Sequence, residues 1–132
     1  MLRLISNAKI WLTTLFMGVI LLLPSLAIAD QDSNEAWDKI NAGALLVDVR
    51  TPEEFAQGHL ANAINIPFEE VASQFAQRGI AKDTQVVVYC RSGRRSGIAN
   101  DSLKQAGYSA VYNGGGYEQL VTANPQSDKP TK

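Results

Sequence analysis

The chain has 132 residues and a mass of 14.3 kDa, with 45% apolar residues and with 12 basic against 13 acidic side chains. This length suits one compact domain, and a formal charge of −1 argues against a nucleic-acid-binding protein, which usually carries a clear basic excess. One cysteine excludes an internal disulfide and any thiol-rich metal or haem-attachment pattern, and a single histidine limits metal binding further. We therefore expect a small domain that uses no metal and no other cofactor.

The first 29 residues have the pattern of a secretory signal peptide. Two basic residues, Arg3 and Lys9, precede a nearly continuous apolar stretch that ends in the small-residue sequence Ala-Ile-Ala at Ala29. About 20 apolar residues can also span a bilayer, so an uncleaved anchor is the open alternative. We expect cleavage after Ala29 and a periplasmic or secreted protein that no longer associates stably with the membrane.

After this leader, predicted helices and strands alternate. Ser33 is the candidate N-cap of a short helix that contains Trp37 and ends at Gly43. The continuous apolar run over 44–49 predicts a strand that is buried on both faces. The sequence Thr-Pro-Glu-Glu at 51–54 has the features of a capping box with proline in the first turn, and predicts a second helix.

The second half of the chain continues the alternation. The predicted elements are a strand over 63–66, a helix over 68–78, a strand over 85–89, a helix over 96–106, a strand over 109–112 and a helix over 117–121. Such alternation predicts right-handed crossovers and an α/β fold with a small, mostly parallel sheet that has helices on both faces. We assign the domain to residues 30–124 and expect 125–132, which are polar and proline-containing, to be a disordered tail.

One loop combines the residue types of a reactive site. Cys90 ends a predicted buried strand, and Ser96 is expected to open the following helix. The chain turns sharply between them, with Gly93 as the permissive position. Backbone N–H groups in such a turn converge on a bound anion, and the N-terminus of the next helix adds its positive dipole. The loop therefore predicts an anion site at the carboxyl end of the sheet, where ligands of such folds bind.

Three permanent positive charges, on Arg91, Arg94 and Arg95, accompany this cysteine. We expect the backbone N–H groups and the guanidinium groups together to lower the pKa of the Cys90 thiol. This pattern favours a nucleophilic thiolate over the alternative, in which Cys90 is a small buried apolar residue and the arginines form a solvated basic patch.

Several motifs occur in an order that is specific as a set. They are Leu46-Val47-Asp48-Val49-Arg50, Pro52-Glu53-Glu54-Phe55, the stretch from Gly58-His59 to Pro67, the cysteine loop and Gly114-Gly115-Gly116. With them, residues 36–120 resemble the rhodanese family of sulfurtransferases, in its single-domain periplasmic members of the phage shock protein E type. The resemblance implies a rhodanese-like fold and a thiosulfate sulfurtransferase. The Cys90 thiolate would take the outer sulfur of thiosulfate as a persulfide and pass it to cyanide or a thiol.

The resemblance and the loop chemistry together assign roles to individual residues. Cys90 is the expected catalytic residue, and the expected substrate-binding residues are Arg91, Ser92, Gly93, Arg94 and Arg95. The residues expected to support the loop are Asp48, Arg50 and Ser96, with Arg50 paired to an acid such as Glu54. We interpret His59 as a structural hydrogen-bonding residue of its turn. The expected partners are a small anionic sulfur donor and a cyanide or thiol acceptor, and we expect a monomer that binds no nucleic acid.

Two other functions use similar chemistry. Cysteine-dependent phosphatases and arsenate reductases also hold an oxyanion around a thiolate, and many of them have arginine six residues after the cysteine. That position is Ser96 here, and Arg94 and Arg95 come too early in the chain. A persulfide carrier that does not turn over is the other open alternative.

Overall fold

The computed structural model describes residues 31–128. Its sheet has four strands in the order β2-β1-β3-β4, and every neighbouring pair is parallel. The strands are β1 (Leu45–Asp48), β2 (Ile64–Asn65), β3 (Val86–Cys90) and β4 (Val111–Gly116). The helices are α1 (Ser33–Asn41), α2 (Pro52–Ala56), α3 (Val71–Gln77), α4 (Arg94–Gln105) and α5 (Tyr117–Ala123), and a 3-10 turn over Phe68–Glu70 precedes α3.

Helices cover both faces of this sheet. On one face, Phe75 of α3 and Leu103 of α4 belong to the same core as Val88. On the other face, Leu120 of α5 shares a second core with Val87. Successive side chains of a strand point to opposite faces, so a strand that serves two cores must be apolar throughout. The predicted α/β fold with a parallel sheet between helices is confirmed.

The cap of α1 differs from the expectation. Asp32, and not Ser33, is the N-cap, and its carboxylate accepts hydrogen bonds from the N–H groups of Asn34 and Glu35 at 2.9 and 3.0 Å. A carboxylate offers both an acceptor and a negative charge at the positive end of the helix. Asp32 therefore stabilises the start of the helix better than the neighbouring hydroxyl would.

The glycines before α5 belong to β4 and do not form a separate turn. Asn113 pairs with Val88, whereas the next residue of β3 pairs with Gly115, so Gly114 is the extra residue of a β-bulge. A Cβ atom at Gly114 would lie 3.3 Å from the carbonyl oxygen of Val88. The glycines thus let the end of β4 approach β3 closely, beside the cysteine loop.

Residues 125–128 differ from the disordered tail that was expected to start there, since they form a turn that is bonded to the domain. The carbonyl of Ser127 accepts a hydrogen bond from the N–H of Ala61 at 2.8 Å, and the hydroxyl of Tyr117 donates to the carboxylate of Asp128. The predicted signal peptide and the end of the predicted tail lie outside the described residues. Within 31–128, no helix combines the length and the apolar character needed to cross a membrane.

Candidate active site

Cys90 is the last residue of β3, and its side chain is buried in the core beneath α4. Its Sγ accepts a hydrogen bond from the N–H of Gly93 at 3.0 Å and lies 3.4 Å from Oγ of Ser96. Gly93 has a φ of 92° and caps α4, which begins at Arg94. The predicted helix start at Ser96 is therefore wrong by two residues. The earlier start places Ser96 in the first turn of the helix, beside the sulfur.

The surroundings of Cys90 favour its thiolate form. Burial on its own raises the pKa of this thiol, but hydrogen bonds from the Ser96 hydroxyl and from the N–H groups of Ser96, Ser92 and Gly93 outweigh it. The net result is a pKa below the ordinary value, because donors to a charged form stabilise that form. The predicted direction is confirmed. Its leading favourable causes are hydrogen bonds, however, and not the guanidinium groups.

Asn113 of β4 is a part of this site that the sequence analysis missed. Its Oδ1 accepts hydrogen bonds from the Ser96 hydroxyl at 2.7 Å and from the N–H of Gly115 at 3.0 Å. Its Nδ2 donates to the carbonyl of Gly93 at 3.2 Å. One sequence signal could have found it, namely a single amide within a short strand of apolar residues and glycines. A polar side chain that is buried in such a strand needs hydrogen-bonding partners.

The three loop arginines have different environments. Arg95 is half-buried, and its guanidinium donates two hydrogen bonds to the Glu54 carboxylate, at 2.6 and 2.9 Å. Arg91 and Arg94 are exposed, and neither forms an ion pair with any residue of the described range. Two of the three charges are thus available to an incoming anion, while the third is held by α2.

Glu54 also belongs to the predicted capping box of α2, which is confirmed. The N–H of Glu54 donates to Oγ1 of Thr51, and the Glu54 carboxylate accepts from the N–H of Thr51. The hydrogen bond from Arg95 is the largest cause that lowers the pKa of Glu54 to about 2. Glu54 is therefore ionised at neutral pH and fixes α2 to the first turn of α4.

Asp48 and Arg50 form a buried pair at the end of β1. Arg50 donates to the Asp48 carboxylate from Nη2 at 2.6 Å, from Nε at 2.9 Å and from its backbone N–H at 2.9 Å. Arg50 pairs with an acid as expected, but the partner is Asp48 and not Glu54, because the turn after β1 folds both the backbone and the side chain of Arg50 onto Asp48. Nη2 also donates to the carbonyl of Gly58 at 2.7 Å, so the pair anchors that turn.

The neighbouring turn contains His59, whose side chain is exposed. Its ring stacks on Phe55 with 3.7 Å between the ring centroids, and its Nδ1 lies 2.9 Å from the carbonyl oxygen of Phe55. The prediction that His59 is a hydrogen-bonding residue of its turn is confirmed. In the part of the chain that the structure describes, no three His, Cys, Asp or Glu side chains come together as a metal site.

A cavity of about 370 Å³ opens beside the cysteine loop. Its lining is polar and mostly charged, and consists of Arg50, Glu54, Gln57, Gly58, Arg91, Tyr117 and Glu118. Arg91, the residue after the cysteine, belongs to both the loop and the cavity wall. The cavity therefore adjoins the loop at Arg91.

Fold and site together define a class of protein. The sheet ends in a cysteine of lowered pKa, which is surrounded by backbone N–H groups and by arginine side chains that form no ion pair with any described residue. This arrangement is typical of a thiol-dependent enzyme that acts on a small anion. The rhodanese-like domain family matches residues 32–123. The chain belongs to this family, and the predicted resemblance is confirmed.

Individual relatives agree with this assignment. The thiosulfate sulfurtransferase PspE of Escherichia coli (strain K12) is 43% identical over 75 residues, which are 57% of this chain and 72% of that protein. A sulfurtransferase of Allochromatium vinosum is 46% identical over 69 residues, which are 52% of this chain and 63% of that protein.

Two solved structures are similar as well. A rhodanese with anions from E. coli has a TM-score of 0.55 and 42% identity, and the match covers 58% of this chain and 89% of that one. The human single-domain sulfurtransferase TSTD1 has a TM-score of 0.56 and 28% identity, with 66% and 90% of the two chains covered.

Proposed function

We propose that this chain is a thiosulfate sulfurtransferase that carries sulfur as a persulfide on Cys90. The observation that carries the proposal is the hydrogen bond from the Gly93 N–H to a cysteine sulfur whose pKa is lowered. A lowered pKa increases the fraction of reactive thiolate without a general base. The names of the relatives, which are thiosulfate sulfurtransferase and sulfurtransferase, support the same class of enzyme.

In the first half of the reaction, the Cys90 thiolate attacks the outer sulfur of thiosulfate. A new bond forms between Sγ and that sulfur, while the sulfur–sulfur bond of thiosulfate breaks and its electron pair leaves with sulfite. A thiolate and a dianion thus become a persulfide anion and a sulfite dianion, and no proton is transferred. Arg91 and Arg94, whose charges are free, attract the dianion to the loop.

In the second half, a cyanide ion or an acceptor thiolate attacks the outer sulfur of the persulfide. The bond between the two sulfurs breaks, and Cys90 leaves with the electron pair as a thiolate. Negative charge therefore moves from Sγ to the outer sulfur and back during one cycle. Backbone N–H groups that are already oriented around the loop stabilise this charge without reorganisation.

The loop geometry favours this reaction over phosphate or arsenate chemistry. Where many cysteine phosphatases have an arginine, this chain has Ser96, which is fully buried behind the sulfur. The nearest candidate to replace that arginine, Arg95, is bound to Glu54. The loop thus lacks the arginine that many of those enzymes have six residues after the cysteine.

The experiment that tests the proposal compares wild type with Cys90→Ser in a thiosulfate-to-cyanide assay. We expect thiocyanate from wild type only, together with a protein species heavier by one sulfur atom, about 32 Da. Both proteins should unfold at the same temperature, since serine replaces cysteine with little change of shape. Thiocyanate from Cys90→Ser, or hydrolysis of p-nitrophenyl phosphate without thiocyanate, would overturn the proposal. Sulfite release that stops after one equivalent would indicate a carrier instead.

The cellular location is a separate part of the proposal. We propose that residues 1–29 are a leader removed after Ala29, and that the protein acts as a periplasmic or secreted monomer without stable membrane association. The structure is compatible with this cleavage point, because Asp32, which caps α1, and the bond from the Gln31 N–H to the Asn113 carbonyl lie beyond it. Sequencing of the exported protein should begin at Asp30, and an intact leader would contradict cleavage.

A further inference from the structure

The hydroxyl of Ser96 can donate one hydrogen bond and has two neighbours that can accept it. Oδ1 of Asn113 lies 2.7 Å from Oγ of Ser96, and Sγ of Cys90 lies 3.4 Å from it. A hydroxyl donates one hydrogen bond and accepts up to two. Ser96 can therefore donate to the amide or to the sulfur, but not to both at once.

The orientation of the Asn113 amide is fixed by its other partners. Gly115 offers it an N–H group and Gly93 offers it a carbonyl oxygen, at 3.0 and 3.2 Å. A rotated amide would direct its NH₂ group at the Gly115 N–H and its oxygen at the Gly93 carbonyl, so both hydrogen bonds would be lost. Oδ1 must face Ser96, and it can only accept a hydrogen bond there.

Two hydrogen-bonding patterns follow from this geometry, one for each protonation state of Cys90. With a neutral thiol, the S–H group donates to Ser96 and Ser96 donates to Asn113. With a thiolate, the hydroxyl turns and donates to Sγ. Oδ1 of Asn113 then keeps the N–H of Gly115 as its donor. In both states, the thiol, the hydroxyl, the Asn113 amide oxygen and the Gly115 N–H all have hydrogen-bonding partners. Deprotonation of Cys90 therefore avoids the cost of an unpaired buried group.

We propose that Asn113 is a positioning residue of the Cys90 site. It holds the Gly93 peptide against the sulfur and accepts the Ser96 hydrogen bond whenever Sγ carries no negative charge. In the reaction proposed above, the negative charge leaves Sγ when the persulfide forms and returns when the sulfur is passed on. The Ser96 hydroxyl turns toward Asn113 in the first step and back to Sγ in the second.

The variants that follow leave every charged group around the loop unchanged. The charged side chains of the loop and of the first turn of α4 are those of Arg91, Arg94 and Arg95. The neighbouring elements contribute Glu54 of α2, the Asp48–Arg50 pair at the end of β1, and Glu118 of α5. A change in the titration of Cys90 on removal of the Asn113 amide is therefore due to hydrogen bonds and not to charge.

The test is a titration of Cys90 in the full chain, followed by the ultraviolet absorbance of the thiolate. Cys90 is the only cysteine, so the signal belongs to one residue. We expect Asn113→Ala to raise the midpoint by up to about one pH unit, because the Gly93 peptide loses the amide that holds its N–H against the sulfur, an effect that the freed Ser96 hydroxyl offsets only in part. The matched control is Asn65→Ala, which removes an amide that donates to the carbonyls of Asp48 and Arg50 and makes no contact with the sulfur. This control should lose stability without a change of the midpoint.

A double-mutant cycle with Ser96→Ala separates positioning from a merely structural role. Because Asn113 competes with the sulfur for the Ser96 hydrogen bond, Asn113→Ala should raise the midpoint more in the Ser96→Ala background than in wild type. If Asn113→Ala does not fold, Asn113→Ser decides the question. It keeps a polar group and adds no charge, but it is too short to replace the hydrogen bond to the Gly93 carbonyl, and it should raise the midpoint in the same direction. An unchanged midpoint in the Asn113 variants, or additive shifts in the cycle, would overturn the inference.

The inference rests on the proposed nucleophilic role of Cys90, and the two can fail separately. The titration reads the thiol in the absence of any sulfur donor. A wild-type protein that transfers no sulfur from thiosulfate to cyanide would contradict the proposed function and leave the titration results standing. Active wild type with an unaffected Asn113→Ala titration would contradict only the role of Asn113.

Discussion

Glu54 on α2 and Arg95 in the first turn of α4 form a bidentate ion pair, with nitrogen-to-oxygen distances of 2.6 and 2.9 Å. The pair links the helix that follows β1 to the helix that follows the cysteine loop. It also removes one of the three loop arginines from the charge available to substrate. Arg95 therefore fixes the position of the loop, whereas Arg91 and Arg94 are the residues that can meet an anion.

This ion pair predicts a pH-dependent stability difference for Glu54→Gln. The pair is partly exposed, so its loss should lower the free energy of unfolding at pH 7 by about 1 kcal/mol. The pKa of Glu54 is lowered from 4.5 to about 2 by folding. A lowered pKa means that this stabilisation is complete above about pH 4.5 and is lost as the pH falls towards 2. Urea unfolding at several pH values should show that the unfolding free energies of wild type and variant converge as the pH falls from about 4.5 towards 2.

The matched control for this variant is Glu53→Gln. Glu53 lies next to Glu54 on α2, is exposed, and makes no ion pair with any described residue. Its replacement should change the unfolding free energy by less than about 0.5 kcal/mol at any of these pH values. A Glu54→Gln deficit that stays constant down to pH 2 would contradict the assigned electrostatic origin.

Arg94→Ala should weaken thiosulfate binding more than it slows turnover. Arg94 has a free charge beside the loop, and an exposed charge contributes mainly by attracting the dianion. We expect KM for thiosulfate to rise about fivefold, the equivalent of about 1 kcal/mol, with a smaller fall in kcat. The effect should shrink as the ionic strength rises. Arg78→Ala, at the end of α3, removes another exposed charge and serves as the control. Equal KM values in the two variants would refute the role of Arg94.

Gly93→Ala tests the turn that brings a backbone N–H to the sulfur. Gly93 has a φ of 92°, and a Cβ atom there would lie 2.8 Å from the side-chain amide of Gln31. Gly43 is a matched control, because its φ is 101° and a Cβ atom would meet nothing within 4 Å. Each variant should lose about 1 kcal/mol to backbone strain, while Gly93→Ala should lose additional stability and most of its sulfur transfer. Equal stability and equal activity in the two variants would contradict this function of Gly93.

Local sequence signals were sufficient for much of the fold and for the centre of the site. The capping box of Thr51 and Glu54 depends on residues three positions apart, so local sequence reveals it. Cys90 is recognisable because a glycine and three arginines follow it within five residues. The start of α4 was misplaced because Gly93 caps the helix through its left-handed backbone. The sequence rules for N-caps favour a hydroxyl such as that of Ser96.

The contacts that orient the loop were not predictable from local sequence, because they join residues far apart in the chain. Arg95 and Glu54 are 41 positions apart, and Ser96 and Asn113 are 17 positions apart. Only the strand order places β4 beside β3 and therefore Asn113 beside the loop. The pairing of Arg50 with Asp48 is local, but it depends on a turn geometry that the residue types alone do not determine.

The thiolate character of Cys90 is tested most directly by the pH titration of this thiol in the wild-type protein. Its ultraviolet absorbance is followed against pH, and the Cys90→Ser protein supplies the baseline. The hydrogen bonds from Gly93 and Ser96 predict a midpoint below that of a free cysteine, about 8.5. A midpoint at or above that value would contradict a site that stabilises the thiolate form of Cys90.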